Sequence, residues 1–159
     1  MTEPSSTKDY PLAPSLAFLS RLWRLNHAME RVSLSMERTL GVTAPQRLVL
    51  RCVGKYPGIT AGKLATLLHL DRSTVSVALR RMEAAGLVAR RRDPRDARRA
   101  TLTLTPRGEQ LNRDEPLSVE GAVTALLAAA SPEDLAATAR TLDALAAHLD
   151  AVVAPPEAP

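Results

Sequence analysis

Residues 100–105 read ATLTLT, a strict alternation that puts Leu102 and Leu104 on one face of an extended strand and Thr101, Thr103 and Thr105 on the other. Directly before it, RRRDPRDARR crowds six arginines and two aspartates into residues 90–99. Leu87 to Arg92 is a second short extended stretch, so the two can pair as a hairpin. RDPRDARR is then expected to be its loop, with Asp-Pro marking the turn. Six like charges this close repel unless something negative lies nearby, and Asp93 and Asp96 cannot balance them. The excess points to an outside polyanion.

Helical patterns surround the hairpin. PSLAFLSRLWRLNHAMERVSLSMERTLG carries Leu16, Leu19, Leu22, Trp23, Leu25, Met29, Val32 and Met36 at close to helical spacing, which predicts a long amphipathic helix. Thr43-Ala44-Pro45-Gln46 is a capping box that opens a helix through RLVLRCVGK, and Tyr56-Pro57-Gly58 stops it. Thr60 caps a third helix, AGKLATLLHL. In DRSTVSVALRRMEAAGLV, Asp71 is the expected N-cap and Gly86 the expected stop. Val75, Ala78, Leu79 and Met82 share one face of that helix; Ser73, Ser76, Val77, Arg80 and Ala84 lie opposite, a small, hydroxylated and basic surface. Beyond the hairpin, Thr105-Pro106 and Ser131-Pro132-Glu133-Asp134 each start a further helix. Helix, turn, helix and then a hairpin is the order of a winged helix-turn-helix, so the expected class is mainly α (α+β).

A chain of 159 residues has room for one core of ordinary size. The ends, MTEPSSTKDYPLAPS and VVAPPEAP, are rich in Pro, Ser and Ala, so residues 1–14 and 151–159 are expected to be disordered tails around a single domain over 15–150. No apolar run reaches the roughly 18 residues of a membrane span, and the acidic start lacks the basic-then-apolar pattern of a signal peptide. The cytoplasm is the expected compartment, with no membrane partner. One cysteine, Cys52, excludes an intrachain disulfide framework. Net charge is only +4, but it is spread unevenly, with residues 69–107 holding ten arginines against four acids and residues 108–159 two arginines against nine. A basic middle beside an acidic end suits a surface that meets a polyanion, carried on a scaffold that does not.

Three stretches, VTAPQRLVL, PGITAGKLATLLHLDRSTVSVALRRMEAAGLVARR and DPRDARRATLTLTPRGEQL, resemble the multiple-antibiotic-resistance regulator (MarR) family of bacterial transcription factors. They include the Asp-x-Arg of the wing (Asp96-Ala97-Arg98) and the closing Leu-Thr-x-x-Gly (Leu104 to Gly108), and the resemblance runs without gaps over roughly residues 15–150. It implies a homodimer in which dimerisation helices at 15–42 and 106–150 interlock, and a DNA-binding lobe at 43–105 with its wing at 87–105. The implied partner is double-stranded DNA with a pseudo-palindromic operator. On the recognition helix, Arg72, Ser73, Thr74, Ser76, Val77 and Arg80 would meet the major groove. Arg98 would enter the minor groove from the wing tip, held by Asp96 through a charge-assisted hydrogen bond and flanked by Arg95 and Arg99. Hydroxyls can reach phosphates or base edges, and Val77 can touch a thymine methyl. The resemblance further implies a repressor released by a small lipophilic or phenolic ligand, with Trp23, Arg24, His27, Val49 and Cys52 as candidate lining.

Other readings of these residues compete. Cys52 sits in the apolar run LVLRCV and reads as a structural thiol; relatives that sense peroxide carry that cysteine in the first helix, where this chain has none. His27 with Glu30 falls short of the three or four ligands a metal site wants, and no cofactor is expected. No nucleophile with a base, phosphate-cradling glycine loop or carboxylate pair is present, so the chain does not read as an enzyme. The alternatives to an operator-binding regulator are a winged helix that docks a protein and a non-specific architectural DNA binder.

Overall fold

The structure, a computed structural model, describes residues 12–93 and 96–153, with 93 and 96–99 described by backbone alone. Among the described residues ten elements follow one another: α1 (Pro14–Leu40), α2 (Ala44–Lys55), β1 (Ile59–Thr60), α3 (Ala61–Leu68), α4 (Arg72–Ala84), β2 (Val88–Asp93), β3 (Asp96–Leu104), α5 (Pro106–Leu111), α6 (Val119–Ala129) and α7 (Pro132–Val153). Helix α7 continues to Val153, three residues into the segment expected to be tail.

Local capping chemistry sets most helix starts. The Thr43 Oγ1 accepts from the Gln46 N–H at 3.4 Å while the Gln46 Oε1 accepts from the Thr43 N–H at 2.9 Å, a complete capping box. Thr60, Thr105 and Ser131 open α3, α5 and α7 by the same means, each hydroxyl accepting the N–H three residues on. Asp71 differs from expectation. It occupies the N-cap position of α4 with extended backbone, but its carboxylate accepts no bond from the helix. Gly86 does stop α4, at φ +67°, where a side chain would be strained.

The sheet has the order β1-β3-β2 and is antiparallel throughout. Strand β1 is only two residues long. It forms because Gly58, at φ +88°, turns the chain back so that its N–H donates to Leu102 O at 2.8 Å and Ile59 pairs with Leu102. The expected loop RDPRDARR needs correction. Pairing runs through Arg91↔Thr101 and Arg92↔Ala100, shifts register there, and ends at Asp93↔Asp96, so most of the arginines belong to strands. A ladder needs extended backbone on both sides and is indifferent to whether the side chains are apolar, so it outruns the hydrophobic pattern.

Leu102 is the keystone of the core, with 0% exposure, and packs in one cluster with Leu50 and Val53 of α2, Leu64 of α3, and Val75, Leu79 and Met82 of α4. This cluster lies in a unit that ends at Val119; α6 from Glu120 onward and α7 form a second unit. Outside the lobe, burial is sparse. Along the 27 residues of α1 only Met36 is buried, and α6 and α7 bury none of theirs. No helix among the described residues is long and apolar enough to cross a membrane.

Candidate nucleic-acid interface

Burial divides α4 into two faces. Val75, Leu79 and Met82 are closed into the core at 1% exposure or less, which fixes the rotation of the helix about its axis. That rotation leaves Arg72, Ser73, Thr74, Val77 and Arg80 exposed and Ser76 half-buried. The sequence-predicted recognition residues are thus brought together on one solvent-facing surface, where the small Ser73, Thr74 and Val77 stand between Arg72 and Arg80. The turn that aims α4 is made by His69, whose backbone sits in the left-handed region at φ 51° while its N–H bonds back to Thr66 O at 3.3 Å.

The hairpin stands beside this surface. Arg91 and Arg92 of β2 are exposed. Arg90 is not available in the same way: its Nε donates to Glu83 Oε1 of α4 at 2.9 Å. Sequence reasoning weighed only the two aspartates against the arginine run and missed Glu83, which lies seven residues away across the Gly86 turn. Arg95 lies outside the described residues, and so do the side chains of Asp96, Arg98 and Arg99; their backbone continues β3. A further basic residue was also missed. Lys63, with Gly62, Thr66, Leu67 and Arg72, lines an open depression of about 560 Å³ between α3 and α4, adding positive charge on the same side.

The candidate ligand residues are not brought together in this way. Val49 is closed in the core at 2% exposure, whereas Trp23, Arg24 and His27 are exposed on α1. His27 Nδ1 lies 4.0 Å from Glu30 Oε2, both exposed. Cys52 is half-buried on α2, and burial pushes its thiol above the usual range, partly opposed by the nearby Lys55 ammonium. At neutral pH it therefore holds less thiolate than a free cysteine. Cys52→Ser is expected to match the wild type in DNA affinity, with and without peroxide; a peroxide effect on wild-type binding that vanishes in the variant would overturn that assignment.

The MarR family pattern matches residues 42–100, which run from just before α2 through α4 into β3. The organic hydroperoxide resistance transcriptional regulator of Bacillus subtilis (strain 168) is 33% identical over 96 residues, 60% of this chain and 64% of that one. A crystal structure of the MarR family transcription regulator SP03579 is 30% identical and superposes with a TM-score of 0.60 over 87% of this chain and 89% of that one. The chain belongs to the MarR family. Its winged helix-turn-helix is thereby placed among known regulators. The PcaV transcriptional regulator from Streptomyces coelicolor, solved in complex with its natural ligand, is 29% identical with a TM-score of 0.66, over 86% of this chain and 95% of PcaV. The chain spans 64% of the length of the Bacillus relative and 53% and 50% of two other curated regulators.

Proposed function

We propose that this MarR chain is a homodimeric, sequence-specific regulator that binds double-stranded DNA at a pseudo-palindromic operator and represses transcription until a small ligand releases it. The observation that carries the DNA reading is the division of α4: one face locked in the core, the other small, hydroxylated and basic, beside the exposed Arg91 and Arg92 of the hairpin. Such a helix fits a major groove while a basic wing tracks the adjacent backbone. The dimer reading rests on α1, where Leu16, Trp23 and Leu25 are each more than half exposed, and on Leu126, Leu149, Val152 and Val153 of the C-terminal helices. Apolar area of this extent belongs against a partner, and a second copy supplies the same faces. Ligand release is supported by the likeness to PcaV, with Trp23, Arg24 and His27 of α1 and Cys52 of α2 as the residues to test. The regulator would work in the cytoplasm.

Release requires the ligand to prefer a dimer whose recognition helices are wrongly spaced, by a differential affinity on the order of 3 kcal/mol. Fluorescence anisotropy against a duplex selected from random sequence, and against a shuffled duplex, at two salt concentrations, tests the reading. Selective binding at two protomers per site that weakens with salt supports it. Equal weak binding to both duplexes would leave an architectural binder, and no binding a protein-docking module.

On the wing, Arg98→Ala is expected to weaken operator binding by ~1–3 kcal/mol. Asp96→Ala is expected to weaken it too, although it removes a negative charge, because Asp96 is assigned to hold Arg98 in position. Operator affinity that is unchanged or tighter in Asp96→Ala sinks that assignment.

A further inference from the structure

Three residues of α2 at spacing i, i+4 and i+7 lie against one short stretch of chain, residues 111–114, between α5 and α6. Arg47, buried to 1% exposure, donates from Nη1 to Leu111 O at 2.6 Å and from Nη2 to Arg113 O at 2.5 Å. One turn on, Arg51 donates from Nη1 to Asn112 O at 2.7 Å and from Nη2 to Asp114 Oδ1 at 2.8 Å. At Gly54 a Cβ would lie 2.3 Å from Asn112 Nδ2, so the absent side chain lets Asn112 rest on the helix backbone. Four successive residues are therefore held by two guanidinium groups.

The residues just before this stretch are also fixed, to the turn that ends α4. Thr105 Oγ1 donates to Gly86 O at 2.5 Å, Arg107 Nη1 donates to Ala85 O at 3.0 Å, and the Thr105 N–H donates to Leu87 O at 3.1 Å. Capping the C-terminal carbonyls of α5 would need one cation. Two forked guanidinium groups on consecutive carbonyls do more, because a planar fork fixes direction as well as distance. The helix that carries them also packs Leu50 and Val53 into the same cluster as Val75 and Leu79 of α4. Helix α2 thus joins the recognition helix on one face to the exit of the chain on another.

We propose that Arg47 and Arg51 are positioning residues for operator binding: they hold the chain leaving the lobe toward α6 at a set angle to the recognition helix, so that the two readers of a dimer keep one separation. This rests on the dimeric DNA-binding reading above. Neither arginine is among the exposed groups of the α4 surface, so the effect reaches DNA through α2 and α4.

The test uses the full-length protein and three probes: a duplex enriched by the wild-type protein from a random-sequence library, a duplex carrying one of its half-sites, and duplexes with one base pair added or removed between half-sites. Arg51→Ala is expected to weaken the full duplex about tenfold, within the range of a coupling between sites, and to leave half-site binding unchanged. Its discrimination between spacings is expected to shrink. Asp114→Ala should act in the same direction with a smaller effect, Arg51→Lys should restore part of the loss, and the double variant should be no worse than Arg51→Ala, as for two ends of one contact. Melting temperatures are measured alongside. The side chain of Asp114 is 96% exposed, so Asp114→Ala carries the comparison even where Arg51→Ala loses its fold. Full-site and half-site affinities that fall together, or unchanged spacing discrimination in folded Arg51→Ala and Asp114→Ala, overturn the proposal. A wild-type protein that enriches no sequence overturns the DNA reading, and the proposal with it.

Discussion

Gly108→Ala is expected to destabilise the protein by roughly 3 kcal/mol, at the upper end of what overpacking costs. A Cβ at this position would stand 2.0 Å from Leu87 O and 3.0 Å from Leu87 C. The obstacle is backbone, and that carbonyl already accepts the Thr105 N–H at 3.1 Å, so neither side can yield without lifting α5 off the lobe. Ordinarily an alanine inside a helix gains up to about 1 kcal/mol over glycine, so the sign itself is informative. Gly62 in α3 is the control, because a Cβ there meets nothing within 4 Å. Thermal melting should separate the two, with Gly108→Ala lowered by about 10 °C for a chain of this size and Gly62→Ala unchanged or raised. If Gly108→Ala melts with the wild type, the close approach of α5 to Leu87 is wrong.

The second large effect divides stability from binding on a single helix. Leu79 has 0% exposure and Val77, two residues earlier, 41%. Leu79→Ala should cost about 2–5 kcal/mol of folding free energy, from lost transfer and the cavity left among Leu50, Val53 and Leu102. Val77→Ala should leave stability within about 0.5 kcal/mol and weaken operator binding by an amount of order 1 kcal/mol, the worth of an apolar contact with a thymine methyl. Urea unfolding and DNA anisotropy on both variants check this. A Val77→Ala protein that unfolds early but binds normally would mean the helix is rotated from the phase described.

What was legible in the sequence was mostly local. Thr43 with Gln46, Thr60 with Lys63 and Thr105 with Gly108 satisfy their hydrogen bonds within three residues, so composition and spacing reveal them directly. The faces of α4 were legible because helical periodicity needs no tertiary information. Asp71 shows the limit of that argument, since a residue of the right type stands at the N-cap and makes no capping bond. The features that escaped depend on distant chain. β1 exists through its pairing with residues 101 and 102. The Arg47 bonds cross 64 and 66 residues, and nothing in QRLVLRCVG distinguishes a buried arginine from an exposed one. Glu83 and Arg90 are near in sequence, but their meeting depends on how the Gly86 turn folds the wing root back on α4. At the candidate ligand site, Val49 looked equivalent to Cys52 as an apolar position on α2, yet Val49 faces inward and only Cys52 reaches partial exposure.

Helix α1 buries one side chain out of 27 residues within its own chain. On the dimeric reading, this makes the amount of protein in the cell part of the control. A protomer that satisfies so little of its longest helix alone is paired only when enough copies are present, and folding of that helix is tied to assembly. At concentrations below the dimer's own dissociation constant, pairs accumulate with the square of the chain concentration. Where the operator is also far from saturated, its occupancy follows the same square: halving expression lowers it about fourfold rather than twofold, before any small molecule arrives.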